Sequence, residues 1–269
     1  MNAIKLNHLL MVALLILVYH YSRTMYSFAV ILACVCLVNN ALSLPKDQEQ
    51  RATLPDKYAT GKLVGFLEDL KEKLKTGDEK LGIPVLDPFE SIQENLNFKK
   101  EGLGEVTALL TNIHAEGLSN YIVNEGDFTV IGLKITLGLT WPEITARTKY
   151  IANGVIGENV DVFGNGEITA TVKDLSFSTV VGLSVRDKKL YVKSIASKLG
   201  LGSLDFKITG LFNDEEVSAL ISAIISDLAP GVINDYQTEV INLVDGVITK
   251  KANNFLKDKT LKDILDMIG

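Results

Sequence analysis

The stretch NDEEVSALISAIISDLAPGVINDYQTEVINLVDGVITKKANNFL, residues 213–256, decides the fold. Its apolar residues recur every three or four positions, before and after Pro230, which predicts one kinked helix over residues 214–256. Asn213, with Glu216 three residues later, resembles a capping box at its start. About 43 residues at about 1.5 Å each span roughly 65 Å, longer than an ordinary globular domain is wide. We therefore expect an elongated fold.

Upstream of this helix, from about residue 92 to residue 209, the apolar period is two. The run from Leu133 to Trp141 alternates apolar and polar residues, which predicts a half-buried antiparallel strand. After Pro142 the apolar parity moves to Ile144, so the strand is expected to bend there. Turn residues are expected to separate about six strands at Asn124–Gly126, Asn153–Gly154, Asn165–Gly166 and Asp187–Lys188.

A second amphipathic helix is predicted before the strands, over residues 58–75. Gly77 is expected to end it, and its apolar face carries Leu63, Phe66, Leu67, Leu70 and Leu74. The long C-terminal helix needs an apolar surface, and one face of the strand meander is the only candidate. The predicted fold class is therefore α+β, an elongated, curved antiparallel sheet wrapped around the long C-terminal helix.

The N-terminal 43 residues have the composition of a targeting segment. They contain no acid, their only bases are Lys5 and Arg23, and their two apolar runs are shorter than the roughly 18 to 20 residues of a membrane span. Small residues at positions 41 and 43 fit a signal peptidase site. We expect a cleaved secretory signal peptide and an extracellular protein; an uncleaved membrane anchor made of both runs is the alternative.

This interpretation divides the chain into three parts. Residues 1–43 are the signal peptide, with residues 1–24 as a possible upstream extension because Met25 alone could open a signal of normal length. Residues 44–55 form a polar arm. Residues 56–269 form a single domain.

Composition excludes several classes of function. The net charge of −6 becomes −8 once Lys5 and Arg23 leave with the signal, which argues against a nucleic-acid partner. Only His114 and no cysteine remain after residue 43, so Cys/His catalysis and zinc sites are excluded. His114 is expected on the polar face of a strand. We expect no enzyme, no catalytic residue, no bound metal and no cofactor.

Two segments carry a resemblance to a known family. The sequence LGIPVLDPF at residues 81–89, and GLFND at residues 210–214 before the long helix, resemble segments of the insect takeout and juvenile-hormone-binding family. The chain is also similar to the mite group 7 allergen branch of the same superfamily, whose tubular lipid-binding fold is shared with bactericidal permeability-increasing proteins. The absence of a cysteine pair after residue 43 favours the allergen-like branch.

The resemblance implies a secreted, lipid-binding carrier with a hydrophobic tunnel between the long helix and the sheet. The ligand is expected to be a hydrophobic small molecule or lipid: juvenile-hormone-like, isoprenoid or fatty acid. The alternative function is a surface-active or microbial-lipid-binding defence protein. Neither stable membrane insertion nor a nucleic-acid partner is expected, and the sequence indicates no particular cell-surface receptor.

The apolar residues of the strands and the long helix are the expected tunnel lining. They are Leu133, Ile135, Leu137, Leu139, Trp141, Ile168, Ala170, Val172, Leu204, Phe206, Ile208, Phe212, Leu220, Ile224 and Leu228. Leu220, Ile224 and Leu228 are expected to face the sheet, with Ser222 on the neighbouring polar stripe. The sequence alone does not decide between an open tunnel and a closed, dry core.

Overall fold

The computed structural model describes residues 57–79, 83–100, 104–156 and 160–267. The predicted signal peptide and polar arm, residues 1–55, lie outside the described residues. Processing and secretion therefore stay predictions.

Within the described residues, helices flank one large antiparallel sheet. The elements are α1 (Lys57–Thr76), β1 (Phe89–Lys100), β2 (Gly104–Glu116), β3 (Ile122–Thr129), β4 (Lys134–Ile156), β5 (Val160–Arg186), β6 (Lys189–Gly200), β7 (Ser203–Ile208), α2 (Glu215–Asp235), α3 (Gln237–Leu256) and α4 (Leu261–Met267). The sheet order is β1-β2-β4-β5-β6, with β3 on β4 and β7 on β5. The α+β prediction is confirmed: the sheet is curved and open, and the C-terminal helices pack against it.

Two long strands organise this sheet. β4 has 23 residues and β5 has 27, and they pair along almost their whole length. One half of the β4–β5 pair is flanked by β3 and β6, which pack against α1 and α3. The other half is flanked by β2 and β7, and β7 packs against α2. We call the sheet face that meets α1 and α3 the inner face.

The predicted bend at Pro142 is confirmed. β4 continues through the proline, and Trp141 and Ile144 are both buried although they are three residues apart, so the inward parity changes there. Asp174 in β5, opposite this point, has a φ of 51°, and the inward parity of β5 changes at the same level. Because both strands make the same change, their register is kept across the bend.

Three of the four predicted turns are wrong. Asn124–Gly126, Asn153–Gly154 and Asn165–Gly166 all lie inside strands. A Cβ on Gly166 would lie 2.2 Å from the carbonyl oxygen of Thr209, and a Cβ on Gly154 would meet the neighbouring strand in the same way. Glycine is needed at these two positions because another backbone approaches closely, not because the chain turns. The fourth turn is confirmed, with Asp187 and Lys188 at positive φ.

The C-terminal helix differs from the prediction in two ways. It begins one residue later than the capping box implies, because Asp214 is the N-cap and its Oδ1 accepts from the backbone N–H groups of residues 216 and 217. It is also two helices, separated at Tyr236 and not at Pro230, which lies inside α2. The break falls where the chain leaves the edge of β7 for the edge of β6. There Gln237 bonds both backbone groups of Leu199.

The main core lies between α1 and the half of the sheet that carries β3. The predicted apolar face of α1 is confirmed, since Leu63, Phe66, Leu67, Leu70 and Leu74 are all buried. Gly77 ends the helix at a φ of 74°, as expected. Tyr121 and Trp141 pack edge to face beneath α1, with ring centroids 5.7 Å apart.

Asp87, in the LDP part of the first family segment, ties α1 to the loop between β2 and β3. Its carboxylate accepts from the backbone N–H groups of Gly117 (2.9 Å) and Ser119 (2.8 Å) and from the Ser119 hydroxyl. The backbone N–H groups of Leu86 and Asp87 both donate to the carbonyl of Leu74 at the end of α1. This part of the segment therefore positions the backbone at the end of α1 and in the loop between β2 and β3.

Candidate functional site

The outer edge of β7 is covered by side chains of α2. Three serines of α2 spaced four residues apart accept backbone N–H groups that point away from the sheet; we call them the serine ladder. Ser226 accepts from Phe206 (2.9 Å), Ser222 from Ile208 (3.0 Å) and Ser218 from Leu211 (2.9 Å). Ser222 is only 8% exposed, so its predicted place on a polar surface stripe is wrong. An uncovered strand edge needs hydrogen-bond partners, and serine supplies them where leucine cannot.

Because α2 turns its serines toward β7, much of its apolar surface stays uncovered. We call this surface the apolar stripe; it consists of Val217, Leu220, Ile221, Ile224 and Leu228. Leu220 is 60% exposed and Leu228 39%, while Ile224 is half-buried near the small cluster around Ile233. The prediction that all three residues face the sheet is therefore wrong for Leu220, the most exposed of them. The hydrogen bonds of the β7 edge set the rotation of the helix.

Most of the apolar stripe lies on the inner-face side of α2, whereas Leu220 lies nearly opposite the serine ladder and points away from β7. The opposite flank, with Ala219 and Ala223, lines a shallow groove with Asp205 and Lys207, which point to the outer face of β7. On a helix of 100° per residue, Ile221, Ile224 and Leu228 lie on the other side of the serine ladder from these alanines. Those apolar side chains are consequently turned toward the inner face.

Six predicted lining residues are brought together on the inner face beside this stripe. They form three cross-strand pairs between β5 and β7: Ile168 with Ile208, Ala170 with Phe206, and Val172 with Leu204. Directly paired residues share a face of the sheet. Phe206 is buried and the other five are half-buried, so this region and the apolar stripe border an apolar groove.

The five predicted residues at the start of β4 lie elsewhere. Leu137, Leu139 and Trp141 are buried in the core beneath α1, and Leu133 and Ile135 pack against that core. They lie on the helix-facing side of the sheet, where α1 covers them through β3, and the core that they join also contains Ala252 and Leu256 of α3. Leu133 precedes the strand, in the turn before β4, with a φ of 49°. Ligand contact by these residues stays a prediction.

Phe212 is placed outside the groove. Its ring packs edge to face on Phe163, 5.6 Å between centroids, and its backbone N–H donates to the Phe163 carbonyl. Phe163 shares its strand parity with exposed Asn165 and Glu167, which identifies the outer face. The positive φ of Phe212, 56°, turns the chain so that Leu211 is buried and Phe212 points the other way.

Residues 29–266 match the family described as haemolymph juvenile hormone binding protein. The chain belongs to this family. No curated protein matches it by sequence. Takeout 1 of Epiphyas postvittana is similar in structure, with a TM-score of 0.52 and 18% identity over 75% of this chain and 93% of that one. A lipopolysaccharide binding protein aligns with a TM-score of 0.32 and 15% identity, over 75% of this chain and 38% of that protein.

The haemolymph juvenile hormone binding protein family and the takeout-like fold identify the chain as a carrier type that binds hydrophobic ligands. Membership in the mite allergen branch stays a prediction. No cluster of three or more His, Cys, Asp or Glu residues suited to a metal ion occurs among the described residues. His114 bonds Glu116 (2.5 Å) and Glu90 (3.3 Å).

Tyr150 is a residue of the inner face that the site prediction missed. Its hydroxyl donates to the carbonyl of Thr209 at 2.8 Å, reaching across β5 above Gly164 and Gly166. Burial, and secondarily the charge of Glu215, raises the pKa of Tyr150 to about 12. In the sequence, the glycines of β5 opposite Tyr150 were the signal that could have revealed this contact, because they leave room for a large side chain to cross the strand.

The raised pKa of Tyr150 predicts how the stability of the protein changes at alkaline pH. The pKa is raised in the folded protein, so between about pH 10 and 12 the unfolded chain has lost a proton that the folded one still holds, and stability falls as pH rises. We expect a loss of about 2 kcal/mol over this window, and none of it in Tyr150→Phe. Equilibrium denaturation at a series of alkaline pH values measures this; equal pH dependence in the two proteins would contradict it.

Proposed function

We propose that this haemolymph juvenile hormone binding protein family member carries a hydrophobic small molecule or lipid in the groove between the apolar stripe of α2 and the inner face of β5 and β7. One observation carries the proposal: α2 buries Ile225, Ala229 and Ile233 together with two of its serines, but it leaves Leu220 and Leu228 exposed and Val217, Ile221 and Ile224 only half-buried. By length and composition α2 is apolar enough to cross a membrane, yet Leu220 is 60% exposed and Leu228 39%. Apolar surface of this extent typically marks a binding site.

The ligand class follows from the lining. The groove is bordered by aliphatic side chains and Phe206, so binding rests on removal of apolar area from water, at about 25 cal/mol per Å². Long aliphatic or isoprenoid molecules, among them juvenile-hormone-like compounds and fatty acids, suit such a surface. The family description supports the first of these, since it names juvenile hormone binding.

A paired variant tests the groove. We expect Leu228→Asp to weaken binding of a long-chain fatty acid at least about tenfold without unfolding the protein, because Leu228 is 39% exposed and lies on the flank of the apolar stripe that is turned toward the inner face. Ala223→Asp, which puts the same charge on the other flank of α2, should bind like wild type. Native mass spectrometry and displacement of a fluorescent fatty acid from delipidated protein measure the affinities.

Chain length gives a second axis for the same titration. Affinity should grow about fourfold for each added CH₂, corresponding to about 0.8 kcal/mol, until the groove is full, with one ligand per protein. If Leu228→Asp and Ala223→Asp bind equally well, the groove is in the wrong place. If no apolar ligand is retained by the wild-type protein, the carrier proposal is wrong.

The exposed stripe also favours a second candidate function, a surface-active protein. A helix with an open apolar flank can lie at an air–water or lipid interface instead of holding a ligand. Surface tension separates the two functions: a carrier with a bound ligand leaves it unchanged, whereas a surface-active protein lowers it without ligand.

Secretion is part of the proposal. It is supported by the apolar composition of residues 1–43, which contain no acid and only two bases, and by the family, which is described as haemolymph proteins. N-terminal sequencing of material from the culture medium should find Leu44. An intact Met1 or Met25 would contradict cleavage after Ser43.

A further inference from the structure

Three turns meet at one end of the sheet, which we call the turn end. It comprises residues 130–134 between β3 and β4, residues 186–189 between β5 and β6, and residues 257–260 between α3 and α4. Backbone hydrogen bonds hold the three together: Leu183 N–H donates to the Leu133 carbonyl at 2.8 Å, and Leu190 N–H to the Lys259 carbonyl at 3.0 Å. The Lys189 ammonium also donates to the Asp258 carbonyl at 2.9 Å.

An isoleucine is exposed at the tip of this end. Ile131 is 79% exposed, in a turn that the left-handed residues Gly132 and Leu133 complete. Val185, on the strand that leads to the next turn, is 49% exposed. These side chains are too few to make a protein interface, which needs roughly 800 Å² per partner.

The turn end is basic although the chain is acidic. Its residues include six bases, Lys134, Arg186, Lys188, Lys189, Lys257 and Lys259, against two acids, Asp187 and Asp258. The whole chain has 27 bases and 33 acids. None of the ion pairs between described residues uses these six bases. Bases thus outnumber acids in the turns of the end that carries the exposed isoleucine, although Asp263 in α4 interacts electrostatically with Lys259 and Lys189.

Two of these bases lie over aromatic rings. The guanidinium of Arg186 is 5.2 Å from the centroid of the Tyr191 ring, and the ammonium of Lys259 is 5.6 Å from that of Phe255. Cations beside aromatic and aliphatic side chains suit the headgroup region of a bilayer, where apolar and anionic groups are layered within a few ångströms.

We propose that the turn end docks the protein on the surface of an anionic lipid bilayer, with Ile131 entering the boundary between headgroups and acyl chains. The six bases contact the phosphate and carboxylate groups around it. Docking of this kind is peripheral and reversible, since each base near an anionic surface contributes only modestly. It goes beyond ligand binding, because it states which end of the carrier meets a membrane, and it does not require that the groove be occupied.

The charge requirement is tested with two matched triple variants. Lys134→Glu, Lys188→Glu and Lys257→Glu together reverse three exposed bases of the turn end; Lys149→Glu, Lys198→Glu and Lys207→Glu reverse three exposed bases elsewhere. Co-sedimentation with vesicles of phosphatidylcholine and phosphatidylserine is the measurement. We expect the first triple to bind at least about a hundredfold more weakly than wild type, and the second to keep most of the binding. Equal losses would overturn the proposal.

The apolar requirement has its own control. Ile92 is 87% exposed but lies between Glu90 and Glu94, so Ile92→Ser should bind vesicles like wild type, whereas Ile131→Ser should bind several-fold more weakly. In Ile131→Trp the added emission should be quenched by vesicles with brominated acyl chains, and in Ile92→Trp it should not. Absence of quenching at position 131, or absence of vesicle binding by the wild-type protein, would overturn the proposal.

The vesicle assay and the ligand titration test two separate proposals, and either proposal can be contradicted without the other. Turn-end variants should retain fatty acid with wild-type affinity, because none of their positions borders the groove. Leu228→Asp should bind vesicles normally. A protein that holds a ligand but ignores vesicles would leave the carrier function standing and remove the docking site.

Discussion

Replacement of Ser222 with aspartate is expected to lower the free energy of unfolding by about 4 kcal/mol. The Ser222 hydroxyl accepts from Ile208 N–H at 3.0 Å and donates to the Ser218 carbonyl at 2.7 Å, and the residue is buried. A carboxylate has no proton for that carbonyl, and its charge would lie beside the Ile208 carbonyl as well. Urea denaturation, with midpoint and slope both recorded, measures the change.

Ala223→Asp is the matched control for this variant. It adds the same side chain one residue later on the same helix, but at an exposed position, so the change should stay within about 0.5 kcal/mol. If the two variants unfold at the same urea concentration, the serine ladder does not hold the edge of β7, and the orientation of α2 is wrong.

Asp87→Ala is expected to lower the free energy of unfolding by about 3 kcal/mol. The carboxylate accepts two backbone N–H groups and a hydroxyl from the loop between β2 and β3, and hydrogen bonds to a charged group contribute about 1.5 to 3 kcal/mol each, though not additively. Asp161→Ala, at an exposed position in β5, is the control and should change stability little.

The Asp87 variant also has an optical signature. The same loop supplies the Leu118 carbonyl to the indole N–H of Trp141, the only tryptophan in the chain, at 2.9 Å. Release of the loop should shift the emission of folded Trp141 to longer wavelength. A folded variant with unchanged emission and unchanged stability would show that the LDP segment has another role.

Local periodicity predicted the elements whose burial is decided within one segment. The buried face of α1 follows from residues three and four apart, such as Leu63, Leu67, Leu70 and Leu74, so no distant partner is needed to find it. The bend at Pro142 was equally accessible, because the missing N–H and the change of parity stand next to each other in the sequence.

The failures share one cause, a partner far away along the chain. Gly166 stands beside an asparagine as it would in a hairpin turn, but its function is to admit the Thr209 carbonyl, 43 positions later. Ser222 lies on the less apolar side of α2, and only the open edge of β7 explains why that side is buried. A single sequence shows neither partner.

Part of the site prediction also depended on partners that are distant along the chain. Period two was enough to place Ile168, Ala170 and Val172 on one face, together with the alternate residues of β7. It was not enough to decide which of two amphipathic helices covers the first residues of β4. That choice is made by the pairing of β3 with β4, which positions α1 above Leu137 and Leu139.

The contact between α2 and β7 pairs two structures with different repeat lengths, a helix and a strand. From Ser226 to Ser222 the helix advances about 6.0 Å over four residues, whereas from Phe206 to Ile208 the strand advances about 6.6 Å over two, so the two repeats drift apart by roughly 0.6 Å in one step. The mismatch accumulates, so that after about three steps it exceeds the tolerance of a hydrogen bond. The third bond of the ladder already reaches Leu211, beyond the end of β7. At Tyr236 the helix breaks, and after the break the contact passes to a different strand: the longer side chain of Gln237 bonds Leu199 of β6. A longer β7 would therefore gain no fourth hydroxyl from an unbroken helix.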